Sequence, residues 1–278
     1  MGAGSTSSVR VQARSQARQN MPKQKVFTQT LLHPSMSPQG LIVRESRDLP
    51  GEHEDSLGVI FSMDITGSMG HIPVELATRT MHEFMPALAR LSPDVQVLFG
   101  AVGDPFDGGE APWQIGQFES DDEKADEWLT RLWTDGSGGG APYEGYDLLF
   151  YFAGYHTSMD CWVKRQKKGY LFITGDDICR AEVDAGWVNR LLGRQELAAD
   201  IPIQTAIAKA AEMYHVFFLI PDAEREHNYR DGQYVGDHWR KILGKNGTVV
   251  VLDNSTDTAV VSSILFGLRE GAYGSLTA

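Results

Sequence analysis

The stretch Leu57-Gly-Val-Ile-Phe-Ser-Met-Asp-Ile-Thr-Gly-Ser-Met-Gly70 joins an apolar run to a polar turn. The run from Leu57 to Met63 is rich in β-branched and aromatic residues and is bounded by polar or glycine residues. A continuous apolar run of this length predicts a strand that is buried on both faces. We therefore expect it in the middle of a sheet.

The polar turn places three oxygen-bearing side chains at alternate positions. Asp64, Thr66 and Ser68 follow the strand, and Gly67 is expected to let the backbone turn sharply. One carboxylate and two hydroxyls suit a hard cation such as Mg²⁺ or Mn²⁺, which takes few protein ligands and keeps several waters. Asp, Thr and Ser also cap helices, so these three residues taken alone fit an ordinary strand-to-helix turn as well as they fit a metal site.

The remaining pattern predicts five more strands and seven helices. The strands are predicted at 95–102, 113–118, 169–174, 214–220 and 248–252, and the helices at 73–91, 121–133, 146–155, 184–193, 203–213, 234–243 and 256–269. Residues 113–118 alternate apolar and polar residues, as an exposed or edge strand does. Strands that alternate with helices predict a doubly wound α/β fold with a mainly parallel six-stranded sheet and helices on both faces.

Acidic residues follow several predicted parallel strands at the same end. Asp64, Asp104, and either Asp176 or Asp177 occupy such positions. The carboxyl ends of parallel strands meet at one edge of the sheet, where ligands bind. Clustered carboxylates raise one another's proton affinity unless a cation balances them, so this edge is a predicted metal site. Asp104 is interpreted as a loop or rim residue.

The turn also resembles a known motif. Asp64-Ile-Thr-Gly-Ser-Met69 is similar to the Asp-x-Ser/Thr-x-Ser metal-ion-dependent adhesion site of von Willebrand factor A (vWA) domains, in the form common in bacterial intracellular members. The resemblance covers roughly residues 54–270 and implies a Rossmann-like vWA fold. It implies that Thr66 and Ser68 are direct hydroxyl ligands of Mg²⁺ and that Asp64 is a direct or water-mediated one.

The second loop of the resemblance departs from the family pattern. The family supplies a Thr after Gly-Gly or an Asp after Gly-Gly-Gly, whereas this chain has Ala141 after three glycines. Glu144 matches a glutamate common in the Gly-Gly-Gly-Asp-x-x-Glu variant, and Ser137 is the other nearby oxygen donor. Either side chain, or water, could fill the missing position.

The third loop is shifted by one residue. The family pattern is Thr-Asp-Gly after a strand, and this chain reads Thr174-Gly-Asp-Asp177. The resemblance favours Asp176 as an outer-sphere ligand of the metal. In the alternative interpretation, Asp177 caps the turn that follows.

The chain is predicted to have four segments. Residues 1–25 are rich in Ser, Gln, Ala and Arg without apolar periodicity, which predicts a disordered basic arm. Residues 26–56 are expected to be an extended lead-in, residues 57–270 the vWA-like domain, and residues 271–278 a C-terminal tail.

Charge and hydropathy exclude several classes of function. Residues 1–50 carry a net charge of +5 and the remainder −17, so the folded domain is not expected to bind nucleic acid. No apolar run approaches the roughly 18–20 residues that span a membrane. Cys161 and Cys179 have no metal-ligand spacing, and we expect buried free thiols in a cytoplasmic protein.

These features predict a non-enzymatic binding module. Mg²⁺ with an open coordination position would accept a carboxylate from a partner protein. The resemblance to bacterial vWA proteins implies an adaptor that works beside a MoxR-type AAA+ ATPase.

The alternative is a Mg²⁺-dependent phosphohydrolase of the haloacid-dehalogenase type, with Asp64 as the nucleophile. Asp64-Ile-Thr-Gly-Ser also resembles the Asp-Lys-Thr-Gly-Thr turn of P-type ATPases, and Ile173-Thr-Gly-Asp-Asp177 resembles that superfamily's magnesium loop, with a basic run upstream. Against this, Thr66 stands where the general acid would be. The glycine-rich loop at 135–144 also lacks the lysine of a phosphate-binding loop.

Overall fold

The computed structural model describes residues 7–18, 21–79, 84–103, 105, 111–134 and 143–273. Its central element is a six-stranded sheet whose strands we number in chain order. They are β1 (Leu57–Asp64), β2 (Val95–Val102), β3 (Trp113–Ile115), β4 (Gly169–Thr174), β5 (Tyr214–Ile220) and β6 (Gly247–Val251). All six were predicted from the sequence, with the bounds of β3 three residues too long at its carboxyl end.

The spatial order of the strands is β6-β5-β4-β1-β2-β3. Neighbouring strands are parallel except for β3, which runs antiparallel to β2 at one edge. The chain moves outward from β1 in one direction through β2 and β3, and then outward in the other through β4, β5 and β6. The order therefore reverses between β1 and β4, which is where doubly wound sheets bind ligands.

Helices precede the sheet and connect its strands. They are α1 (Ser8–Arg18), α2 (Lys23–Val26), α3 (Ile72–Arg79), α4 (Met85–Leu91), α5 (Asp122–Thr130), α6 (Tyr146–Tyr155), α7 (Asp160–Arg165), α8 (Ala185–Leu192), α9 (Ile203–Met213), α10 (Val235–Leu243) and α11 (Thr258–Arg269). The predicted helix at 73–91 corresponds to α3 and α4, and residues 80–83 between them lie outside the described residues.

Short strands and 3₁₀ turns complete the fold. Two-stranded pairs join Arg44–Ser46 to Thr157–Met159, Tyr143–Glu144 to Ile178–Cys179, Glu182–Val183 to Ile201–Pro202, and Tyr229–Arg230 to Gln233–Tyr234. The 3₁₀ turns are Pro34–Met36, Gly67–Met69, Ala223–His227, Gly244–Asn246 and Ser255–Asp257.

The core lies on both faces of the sheet. Every residue of β1 and β2 is buried, and successive side chains of a strand point to opposite faces, so both faces are covered. On one face the rings of Phe61, Phe84 and Phe172 form a cluster, with centroids of Phe61 and Phe84 separated by 5.2 Å. The mid-sheet position predicted for the strand at 57–63 is confirmed.

The edge strand β3 is buried, whereas the alternating pattern at 113–118 also allowed an exposed strand. The Gln114 side chain is fully buried because its amide group bonds the backbone of Trp133 in both directions, at 2.9 Å each. A loop thus supplies the hydrogen bonds that water would otherwise provide, which makes a polar residue compatible with a covered edge.

The expectation of a disordered arm over residues 1–25 is wrong for residues 8–18, which form α1. Val11 is buried, and the arginines at positions 10, 14 and 18 lie four residues apart on one face of the helix. They form ion pairs with Asp122 and Asp126 of α5. Composition alone missed this because the apolar contribution is a single residue, while the stabilising partners are more than a hundred residues away.

Candidate metal centre

The polar turn lies at the carboxyl end of β1, beside the loop that follows β4. Met63 pairs with Thr174 in the sheet register, so the residues after both strands are neighbours. The turn after Asp64 continues as the 3₁₀ turn Gly67–Met69. Gly67, where a sharp turn was expected, begins this 3₁₀ turn, and the glycine with a positive φ, of +56°, is Gly70. The chain reverses at Gly70 and enters α3. Glycine suits this position because a side chain would be strained at a positive φ.

The predicted ligands of the turn are joined by hydrogen bonds. The Thr66 N–H and Oγ1 both donate to Asp64 Oδ1, at 2.9 and 2.6 Å. Thr66 Oγ1 lies 3.2 Å from Ser68 Oγ. Ser68 Oγ in turn donates to Asp176 Oδ1 at 2.8 Å. The residues that sequence analysis selected from the first and third loops therefore form one continuous chain of oxygen donors.

The third loop separates the two aspartates into different roles. Asp176 is buried and contacts the first loop through Ser68. Asp177 Oδ1 instead accepts from the N–H of Ile178 at 2.8 Å, and its Oδ2 accepts from Arg230 Nε at 3.0 Å. Asp177 thus caps the turn, and Asp176 is the aspartate that faces the candidate site.

Glu144 is brought to the same region by a short strand. Tyr143–Glu144 pairs in parallel with Ile178–Cys179, directly after the third loop, and Glu144 is buried. Its negative charge contributes, after burial and the charges of Asp64 and Asp176, to raising the pKa of Tyr146 well above 10. Ser137, Ala141 and Asp104 lie outside the described residues, so the rest of the second loop stays a prediction.

Two carboxylates in one buried site create an electrostatic problem. Asp64 is fully buried, and burial together with the negative charge of Asp176 raises its pKa to about 7, although Thr66 and Tyr146 donate hydrogen bonds to it. A cation between the two carboxylates would offset both causes by favouring the ionised form of Asp64. Among the described residues no three His, Cys, Asp or Glu side chains form a metal site by themselves. A cation here would need the hydroxyls of Thr66 and Ser68, and these hard donors fit Mg²⁺ or Mn²⁺.

Sequence reasoning missed Tyr146 as a site residue. Its hydroxyl donates to Asp64 Oδ2, and its ring stands perpendicular to that of Trp239, with centroids 5.1 Å apart. The sequence feature that could have indicated Tyr146 is Gly175, in the third loop. A Cβ on Gly175 would lie 2.1 Å from the Tyr146 hydroxyl, so only glycine fits where the family pattern has aspartate.

Arg225 is the second residue that the sequence analysis missed. It lies in the 3₁₀ turn Ala223–His227 after β5, and its Nη1 donates to the Ser68 carbonyl at 2.9 Å. The same nitrogen donates to Asp176 Oδ2. No local pattern marks this arginine, because its partners come from two distant segments.

Comparison with known proteins gives matches of structure only. No protein-family model and no curated protein matches the sequence. The fold is similar to the pilus adhesin SpaC of Lactobacillus rhamnosus GG over 82% of this chain and 32% of that chain, with 10% identity and a TM-score of 0.50. Other matches are a von Willebrand factor type A protein of Catenulispora acidiphila (14% identity, 78% and 43% of the two chains, TM-score 0.43) and the SpRpn10 VWA domain (8% identity, 80% and 99%, TM-score 0.44).

The chain has a doubly wound α/β fold with a mainly parallel six-stranded sheet, and this fold is similar to part of the SpaC adhesin. With identities of 8–14%, the likeness is one of fold alone. The chain spans about a third of the length of the SpaC adhesin. Within the described residues, no helix is both long and apolar enough to cross a membrane.

Proposed function

We propose that this protein is a non-enzymatic interaction module whose vWA-type fold presents Mg²⁺ or Mn²⁺ to a carboxylate of a partner protein. The observation that carries the proposal is the row of oxygen atoms from Asp64 through Thr66 and Ser68 to Asp176, in which each hydroxyl donates to one carboxylate and the two hydroxyl oxygens lie 3.2 Å apart. It lies at the point where the strand order reverses, and the negative charge of Asp176 helps to raise the pKa of the buried Asp64.

Each residue has a role toward the ion. Thr66 and Ser68 would hold it through their hydroxyls, Asp64 directly or through water, and Asp176 and Glu144 from the outer sphere. The bound ion supplies a Lewis-acidic position that accepts a carboxylate. Asp64 and Thr66 are buried, whereas Ser68 is exposed, so the partner would approach from the Ser68 side.

The partner class rests on the resemblance of the motif. We propose a protein partner, with a MoxR-type AAA+ ATPase as the candidate, and a cytoplasmic location in keeping with the buried free thiols Cys161 and Cys179. An acidic partner surface would be repelled by this acidic chain unless the cation offsets the charge at the contact.

The surroundings of Asp64 disfavour the phosphohydrolase alternative. Asp64 is fully buried and both of its carboxylate oxygens accept hydrogen bonds from neighbouring side chains, whereas a nucleophile must be accessible to the phosphorus atom. The basic run at 164–168 precedes β4, so it lies at the opposite end of that strand from Asp176. The basic run therefore contributes no cation beside Asp64, and the nearby Arg225 is bound to Asp176 and to the Ser68 carbonyl.

The test is titration calorimetry of the full chain with Mg²⁺. Asp64→Asn keeps the shape of the side chain and removes its charge, and we expect this variant to lose at least about 90% of the binding affinity. Thr66→Val is expected to weaken binding as well. Thr78→Val is the matched control, because the Thr78 hydroxyl bonds only backbone carbonyls of α3. Equal affinity in Asp64→Asn and wild type would refute the metal assignment.

A further inference from the structure

Arg225 gives the candidate metal centre a positive charge of its own. The guanidinium is 22% exposed, and it reaches a carboxylate that is 1% exposed. Its Nη1 donates both to Asp176 Oδ2 and to the Ser68 carbonyl oxygen. It therefore bridges the first and third loops, the two loops that supply the proposed ligands.

This contact gives each carboxylate oxygen of Asp176 a hydrogen-bond donor. Its Oδ1 accepts from Ser68 Oγ and its Oδ2 accepts from Arg225, while the Asn228 amide lies 3.4 Å from its backbone carbonyl. An outer-sphere ligand must offer a carboxylate oxygen to a water of the metal. A guanidinium on one oxygen and a hydroxyl on the other compete with that role.

The positive charge of Arg225 also repels a second cation at this site. Arginine stays protonated at all accessible pH values, so its charge cannot be removed by deprotonation. A divalent ion held by Ser68 and facing Asp176 would lie beside this charge in a largely buried region, where repulsion is weakly screened. Either the ion binds with reduced affinity or Arg225 moves away.

We propose that Arg225 is a built-in counter-ion that competes with the divalent cation for Asp176 and so limits the loading of the site. This inference rests on the proposed function. Release of Arg225 from Asp176 is then part of cation binding, and the 3₁₀ turn that carries Arg225 is the element that must adjust. The turn lies on the surface with no buried residue, so a small displacement there does not disturb the core.

The experiment compares Mg²⁺ affinity by calorimetry in the full chain. Arg225→Gln removes the charge and is expected to bind Mg²⁺ about tenfold more tightly than wild type. Arg225→Lys keeps the charge without the planar fork, and its affinity should lie between the two. Arg230→Gln is the matched control, because Arg230 bonds Asp177 and not Asp176, and its affinity should stay within about twofold of wild type.

The outcomes separate this inference from the proposed function. Thermal unfolding first confirms that each variant is folded, and Arg225→Lys serves as the test if Arg225→Gln is not. If wild type binds Mg²⁺ and the Arg225 variants bind equally or more weakly, the competition is refuted and the metal site stands. If neither wild type nor any Arg225 variant binds Mg²⁺, both proposals are refuted.

Discussion

At the residue scale, a glycine and a tyrosine determine the shape of the candidate site. Tyr146 fills the space above Gly175 so closely that any side chain there would meet its hydroxyl. The hydroxyl in turn orients the Asp64 carboxylate by donating to Oδ2. The displaced aspartate of the third loop therefore has a steric cause. With glycine at 175, the carboxylate that contacts Ser68 is that of the next residue, Asp176.

We predict that Gly175→Ala displaces Tyr146 from Asp64. The added methyl group should lower the free energy of unfolding by about 1–3 kcal/mol, as over-packing does, and weaken Mg²⁺ binding. Gly186→Ala is the control, because a Cβ there meets only the end of the Asp184 side chain. The double variant Gly175→Ala with Tyr146→Leu, which removes both the hydroxyl and the ring carbons that the Cβ would meet at 2.1–3.0 Å, should recover in urea unfolding part of the stability that the two single variants lose together. No recovery would argue against the steric explanation.

At the scale of elements, α10 holds the third loop in place. The Trp239 indole N–H donates to the Asp177 carbonyl at 2.8 Å, and the Trp239 ring stacks on Phe218 of β5 with centroids 3.7 Å apart. The N–H of Cys179 donates to His238 Nε2 at 3.0 Å. The loop that carries Asp176 is thus fixed by a helix some sixty residues later in the chain.

The buried His238 should make this attachment sensitive to acid. Burial, and then the charge of Lys241, lower the pKa of His238 to about 4, from 6.5. Because the pKa of His238 is lower in the folded chain than in the unfolded one, neutral His238 contributes fully to the free energy of unfolding above pH 6.5. This contribution is lost as the pH falls from 6.5 to 4. The loss amounts to as much as about 3 kcal/mol, at 1.36 kcal/mol for each pKa unit.

The measurement is urea unfolding of wild type and His238→Gln between pH 7 and pH 4. Gln keeps an acceptor for the Cys179 N–H but does not titrate, so its stability should fall less steeply in this range. His71→Gln, at an exposed histidine, is the control and should follow wild type. Parallel curves for wild type and His238→Gln would show that His238 is not the titrating group.

At the scale of the whole molecule, charge is distributed between the two ends of the sheet. The carboxyl end holds the acidic site. The opposite end has a cavity of about 250 Å³ whose lining includes Lys168, Lys245 and Arg269. Lys168 Nζ donates to the Ala211 carbonyl in the last turn of α9, Arg269 ends α11, and Lys245 follows α10. Cations at helix carboxyl ends are stabilising, so this basic end has a structural cause.

Positively charged residues near the N-terminus likewise form ion pairs within the fold. Arg14 donates to Asp122, whose side chain is fully buried. Burial would raise the pKa of Asp122, but hydrogen bonds from Arg10 and Arg14 outweigh it and lower the pKa below its ordinary value. We predict that Arg14→Gln lowers the free energy of unfolding by about 1–2 kcal/mol, since Arg10 still pairs with Asp122.

Chemical denaturation of Arg14→Gln and Arg47→Gln tests this use of the charge. Arg47 forms an ion pair with Glu45 at the surface, and removing it should leave the stability almost unchanged. If the two variants are equally stable, α1 is not anchored by its arginines.

The sequence by itself determined the six strands, the doubly wound topology and the turn with Asp64, Thr66 and Ser68, because apolar periodicity and turn chemistry are local properties. It also selected Asp176 over Asp177, although only through a resemblance. The tertiary structure decided what depends on distant segments meeting. It placed Tyr146 on Asp64 and Arg225 on Asp176, and it paired the arginines of α1 with Asp122 and Asp126. Buried charges find their partners in space, so the spacing of charged residues along the chain does not reveal which opposite charges they will meet.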